Sequence, residues 1–205
     1  MATIRFSGAP ASLKGRFQYL IGGPNRQRAG EIAARVLPHL RAGEGVLDIG
    51  AGRALVADAI MNAGHPTSIV DVVNLSLVEH LQPKLYDGNT LPYPDGSFDV
   101  ALLLTVLHHI PDPDNTLREA RRVAKRVIVM EDIYASEREK RFTQFGDSWL
   151  NWEWKGHPHS NRDDAGWRAA FAKLKLRVAH YDETLDWFFP FRFRHALYVL
   201  ERGDE

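Results

Sequence analysis

The residues with most chemistry to offer begin in one stretch, VLDIGAGRA, Val46 to Ala54, where an apolar run meets Asp48 and then two glycines one residue apart. A glycine-bearing turn between a strand and a helix lets a ligand touch the backbone, and the helix start presents unpaired N–H groups to it. Taken alone, Gly50 and Gly52 fit an ordinary tight turn as well. Asp71 adds a second feature, because nucleotide-binding sheets place an acid about 20 residues after such a turn to accept from both ribose hydroxyls. The pair implies a nucleoside, carried either by a dinucleotide or by an adenosine-containing molecule without a pyrophosphate. The dinucleotide pattern G-x-G-x-x-G/A asks for a small residue three places after Gly52, where this chain has Leu55. Further on, His108 and His109 follow the apolar run FDVALLLT, and Asp132 closes VIVMED. A histidine, with its pKa of about 6.5, suits a general base at neutral pH. Equally, the His pair could fill space and hydrogen-bond the backbone.

Positioning these groups requires a sheet with helices on both sides. Val46 to Ile49, Thr67 to Val70, Phe98 to Thr105 and Arg126 to Met130 are short apolar runs of the kind buried on both faces of a parallel sheet. Between them, helical spacing predicts a helix over Arg26 to Leu40, with Ile32, Val36 and Leu40 on one face. It predicts a second from Leu55 that stops at Gly64, a third closing at Val78 to Leu81, and a fourth over Asp114 to Lys125 capped by Asp112 or Asp114. A later helix carries Trp167, Ala170, Phe171 and Leu174 behind a cap at Asn161 or Asp163. Arg177 to Tyr181 and Ala196 to Leu200 read as a hairpin-like antiparallel edge on the sheet. The alternation implies a doubly wound α/β fold. Such sheets bind ligands beyond the C-terminal ends of their strands, where the glycines, Asp71 and the His pair fall.

VLDIGAGRA resembles the first motif of the class I S-adenosylmethionine-dependent methyltransferases, D/E-x-G-x-G-x-G, with Asp48, Gly50 and Gly52 in place and Ala54 where the third glycine usually stands. The stretch from Leu85 to Asp132, LYDGNTLPYPDGSFDVALLLTVLHHIPDPDNTLREARRVAKRVIVMED, is similar to the small-molecule branch that includes the quinone-biosynthesis methyltransferases. The resemblance implies a Rossmann-like methyltransferase fold, a mostly parallel seven-stranded sheet with an antiparallel edge strand. It implies S-adenosylmethionine as cofactor, with Asp48 and the backbone of Gly50, Ala51 and Gly52 around its methionine end. Asp71, followed by Val72, would hold the ribose. Asp87, beside Gly88, matches the acid that accepts from the adenine amino group, although an Asp-Gly turn needs no ligand. Thr105 and Val106 would lie beside the cofactor, and His108, His109 or Asp132 would serve the chemistry. Family members carry acceptor-binding insertions after the fifth strand and between the last two.

Here those insertions correspond to residues 133–165 and 184–194. FTQFGDSWLNWEW and WFFPFRF hold about half of the chain's aromatic residues. Phe145, Trp149, Trp152, Trp187 and Phe189 are the candidates for walling a flat or apolar acceptor, with core packing and a subunit interface as competing uses. His157 and His159 could ligate a metal but lack an obvious third ligand, and no metal is expected. The whole chain reads as one domain, residues 1–205, with 1–30 as a lid. Lysines plus arginines and aspartates plus glutamates number 26 each. That balance argues against a nucleic-acid partner. The chain has no cysteine, which excludes thiolate chemistry and disulfides, and no signal-like or membrane-length apolar run. The expectation is a cytoplasmic enzyme, monomeric or homodimeric, acting on a small molecule.

Overall fold

In the computed structural model, which describes residues 22–136, 138–141, 160–188 and 191–203, β1 is Val46–Ile49, buried along its whole length. β2 is Thr67–Asp71, β3 the two-residue Lys84–Leu85, β4 Phe98–Leu104 and β5 Ala124–Ile133, followed by β6, Leu176–Phe188, and β7, Phe191–Arg202. They form one seven-stranded sheet in the order β3-β2-β1-β4-β5-β7-β6. The first five strands pair in parallel. β7 runs antiparallel to both β5 and β6, so the hairpin closes one side of the sheet with its reversed strand one place in from the edge. β1 and β4 are neighbours although β2 and β3 lie between them in sequence. The connection reverses there, and that switch point opens a crevice at the strand ends.

Helices α1 (Gly22–Val36), α2 (Leu55–Asn62), α3 (Pro113–Val123) and α4 (Asp164–Lys173) cover the two faces. On one side Ile32, Ala33 and Val36 of α1 and Ile60 of α2 pack on Val46, Val100, Leu102, Ile128, Met130, Leu197 and Val199. On the other, Leu117, Ala120 and Val123 of α3 and Trp167 and Phe171 of α4 meet Leu47, Ala101, Leu103, Val127, Val129 and Tyr198. Alternate residues of each strand serve opposite layers, as the pleat requires. Consecutive apolar residues in the central strands are therefore all buried.

Most predicted elements are found within a few residues. α1 gives way to a 3-10 turn at Leu37–His39 that carries Pro38, short of the expected Leu40. Asp112 caps α3 by accepting from Asn115 N, and Asp163 caps α4 by accepting from Gly166 N. The helix expected to close at Val78 to Leu81 does not form. There the Ser76 hydroxyl accepts from Val78 N and donates to the Leu81 carbonyl, while Asn74 Oδ1 accepts from Ser76 N. Side chains thus replace a helical ladder, a competition that serine and asparagine commonly win.

Candidate functional site

Asp48, Gly50, Gly52, Asp71 and Thr105 gather at the C-terminal ends of β1, β2 and β4. At Gly50, φ is +73°, and a Cβ there would lie 2.3 Å from Val106 Cγ2. The close approach that demands glycine at this position is thus internal, made by the loop after β4. Gly52 also has positive φ, +51°, but open space where a Cβ would stand. Its N–H donates to Asp71 Oδ2 at 2.9 Å. Asp71 Oδ1 accepts from the amides of Val72 and Val73. This carboxylate therefore ties β2 to the glycine turn, and an ionised carboxylate has about four lone-pair sites, enough to serve a ribose as well.

Asp48 is buried, and burial together with the Asp71 carboxylate pushes its pKa up to about 7. Asp87 is exposed and accepts from Asn89 N and Thr90 N through Oδ1, which holds its pKa below the usual carboxylate value. That is the local turn its Asp-Gly dipeptide favours. It also lines a cleft of about 200 Å³ with Gly88, Asn89, Ile110, Pro111 and Asn115. Val72, more than half exposed, packs beside Gly88. An apolar side chain left open next to a polar turn suits the flat face of a base.

Thr105 takes φ +53°, rare for a β-branched residue, and its N–H donates to the Met130 carbonyl at 2.6 Å. The loop after it is held by a residue that sequence reasoning left aside. Glu131, fully buried in β5, accepts from Val106 N at 2.8 Å and Leu107 N at 2.6 Å through Oε1. Its Oε2 pairs with His108 Nδ1 at 2.5 Å. His108 is buried and lies against His109, ring centroids 4.0 Å apart and planes tilted by 40°, while His109 is half-buried. Ser160 docks on the same turn, its hydroxyl at 3.0 Å from the carbonyls of Leu107 and Ile110.

Asp132, next along β5, faces the α1 side. There it meets a second residue absent from the sequence reading, His195 of β7, whose Nε2 lies 2.9 Å from Asp132 Oδ1. His195 Nδ1 pairs with Asp186 Oδ2 at 2.7 Å, and Arg28 of α1 approaches Nε2 at 3.3 Å. Burial works against charge on His195, but the two carboxylates prevail and raise its pKa. Burial likewise raises Asp132, and His195 more than offsets it, leaving the carboxyl below its usual value. A histidine directly before the apolar run Ala196 to Leu200 is the available signal. Its partners become visible only once the register pairs Asp132 with His195.

Of the aromatic acceptor candidates, Trp187 falls in β6 by its backbone. Phe145, Trp149, Trp152 and Phe189 lie outside the described residues, as do His157, His159 and most of the expected lid. Among the described residues no cluster of three or more His, Asp or Glu could hold a metal ion, and no helix is long and apolar enough to cross a membrane.

Sheet order, switch point and rim together define a Rossmann-like α/β protein of the class I methyltransferase fold. Residues 47–127, the stretch that builds the rim, match the family model of the methyltransferase domain. It is 35% identical over 105 residues to a 27-O-demethylrifamycin SV methyltransferase of Amycolatopsis mediterranei, covering 45% of this chain and 38% of that protein. It is 36% identical over 109 residues to a ubiquinone/menaquinone biosynthesis C-methyltransferase of Burkholderia mallei, covering 45% of each. The chain thus spans less than half the length of these curated relatives. A solved S-adenosylmethionine-dependent methyltransferase from Methanosarcina mazei superposes with a TM-score of 0.66 at 14% identity, over 83% of this chain and 97% of the other.

Proposed function

We propose that the protein transfers a methyl group from S-adenosylmethionine to an oxygen, nitrogen or carbon of a small, flat or apolar molecule. The observation that carries this reading is the convergence of Asp48, Gly50, Gly52, Asp71 and Thr105 on one rim, inside the stretch matched by the methyltransferase family. When bound, the cofactor supplies an electrophilic methyl group on a positively charged sulfur. The residues fit such a molecule: a buried carboxyl poised to ionise at Asp48 suits a cationic amino-acid end, Asp71 a ribose, and the Val72, Asp87 and Gly88 corner an adenine.

Holding the reacting groups in line can supply much of the rate, with no covalent intermediate on the protein. An acceptor that keeps its proton at neutral pH also needs a base, and His109 is the group we assign to that role, since Asp132 is buried in its pair with His195 and held below its usual pKa. The aromatic residues of 133–165 and 184–194 would wall the acceptor, and residues 1–30 would cover it. Both relatives named above are methyltransferases of small molecules, which supports this acceptor class. We place the protein in the cytoplasm, as a monomer or homodimer, consistent with its lack of cysteine.

The test uses methyl-labelled S-adenosylmethionine with the purified protein and a cell extract, separated into small-molecule and macromolecular fractions. Label in a low-mass product is expected. Label confined to macromolecules overturns the acceptor class, and no transfer despite demonstrated cofactor binding favours a non-catalytic role.

A further inference from the structure

At the opposite end of the sheet from the rim, a cleft of about 480 Å³ is lined by Asp95, Gly96, Arg118, Glu119, Arg121, Arg122 and Arg202. Four guanidinium groups face two carboxylates. Both carboxylates are taken by one arginine: Arg122 Nε and Nη2 donate to Glu119 at 2.8 and 2.7 Å, and Nη1 donates to Asp95 at 2.8 Å. Arg122 also donates to the carbonyls of Tyr93 and Leu91 and is thereby saturated. Its role is to pin the loop before β4 onto α3.

The other three are differently placed. Arg118 donates to Asn115 Oδ1, and Arg202 to the carbonyls of Arg121 and Ala124. Arg121 Nε is buried from solvent without a hydrogen-bond partner. Among the described residues, none of the three has a carboxylate within ion-pair distance. The nearby acids are engaged elsewhere: Asp99 with Lys125, Asp114 with Arg162 and Glu201 with Arg177. The dipole of α3 favours positive charge in its last turn, which accounts for Arg121 and Arg122. It does not account for Arg118 a turn earlier, nor for Arg202, which arrives from the far end of β7.

We propose that this cleft is a second binding site, which takes the phosphate group of a small phosphorylated molecule through Arg118, Arg121 and Arg202. Arginine forks match phosphate oxygens bidentately, and three guanidinium groups lining one cleft without a carboxylate of their own are what such an anion would satisfy. The surplus over the two carboxylates equals the charge of a phosphate monoester near neutrality, about −1.5 to −2. The cleft exceeds what a bare phosphate fills and lies within the usual range for small-molecule sites, roughly 300 to 1,000 Å³. β4, whose two ends mark the two sites, is long enough to hold them roughly 20 Å apart. The site therefore does not depend on the methyl-transfer reading.

The test is calorimetric titration of the full chain with pyrophosphate and with ribose 5-phosphate at low ionic strength, since salt screens exposed charge. Saturable binding is expected, weakened tenfold or more by Arg121→Ala and not restored by Arg121→Lys. Arg202 also caps α3 carbonyls and its removal could loosen the fold. The exposed Arg118 gives the safer second variant, and Arg118→Glu should abolish binding with an unchanged melting temperature. S-adenosylhomocysteine affinity should stay the same in all three variants. No saturable binding at millimolar ligand, binding indifferent to these substitutions, or displacement by S-adenosylhomocysteine would each overturn the proposal. So would a short oligonucleotide that binds the same arginines a hundredfold more tightly than either probe.

Discussion

A carboxyl such as Asp48, buried beside another carboxylate, is costly to ionise, and its pKa of about 7 expresses that cost. Because the folded value is raised from the ordinary 3.8, the fold holds this proton more tightly than the unfolded chain does. The contribution to stability is full at low pH and is lost as pH rises from about 4 to about 7, a change on the order of a few kcal/mol. Asp48→Asn should therefore be more stable than the wild type above pH 7 and indistinguishable near pH 4 in urea denaturation. If Asp48 holds the cofactor's ammonium, wild-type affinity for S-adenosylhomocysteine should also fall about tenfold per pH unit below 7. A flat calorimetric profile between pH 5.5 and 8.5 would remove it from that role. Thr105 stores a different cost, since a β-branched residue at φ +53° is strained by about 1–3 kcal/mol. Thr105→Gly should raise the melting temperature by a few degrees while weakening S-adenosylhomocysteine binding. An equal loss of both would mean that the Thr105 side chain stabilises the loop.

Single elements depend on a few buried polar contacts. Glu131 clamps the loop after β4 through two amides and His108, and this presses Val106 against Gly50. Glu131→Ala leaves those donors buried and unpaired, so it should cost about 3–5 kcal/mol in denaturant titrations. Glu131→Gln keeps an oxygen for the two amides and should retain most of that stability. α1 is fastened to the hairpin by Arg35, which donates to Thr184 Oγ1 and pairs with Asp182. The raised pKa of His195 stabilises the fold below 6.5 and ceases to do so as pH rises through its folded value. The lowered values of Asp132 and Asp186 contribute above 3.8 and are lost as pH falls through theirs. His195→Gln should thus flatten the alkaline limb of the stability profile and, because His195 is what lowers Asp132 and Asp186, the acid limb with it. An unchanged alkaline limb would show that His195 is neutral in the fold.

The elements carrying these groups were legible where burial repeats along the chain. β1 and β4 announce themselves as uninterrupted apolar runs, and α4 by Trp167, Phe171 and the cap at Asp163. The apolar spacing that predicts a helix closing at Val78 to Leu81 is overruled because Ser76 and Asn74 bond the backbone locally, which apolar spacing does not reveal. Asp48 and Asp71 were found from spacing to the glycines. Glu131 and His195 were not, since each is defined by a partner on another strand, and one sequence contains no register. Asp132 was named for its place after β5, while its engagement with His195 depends on β7 running backwards beside it.

At the scale of the whole molecule, the sheet separates two ends with different chemistry. The rim is built from strand ends and poised carboxyls, whereas the opposite cleft is built from guanidinium groups. A ligand that binds only the folded chain adds stability of about 2.7 kcal/mol at a hundredfold excess over its dissociation constant. For a chain of this size each kcal/mol moves the melting temperature by about 2–4 °C, so S-adenosylhomocysteine should raise it by roughly 5–10 °C. Asp71→Ala should abolish that shift and also lower the unliganded melting temperature, because the Gly52 amide loses its acceptor. Asp71→Asn keeps an oxygen for that amide and separates the two effects: weaker binding with a near-normal melting temperature assigns Asp71 to the ribose, and unchanged binding leaves it a structural tie alone. Pyrophosphate, acting at the far end through residues that touch none of the rim, should add its own shift to that of S-adenosylhomocysteine. Independent sites give additive free energies, so a combined shift smaller than the sum would mean that both ligands compete for one site.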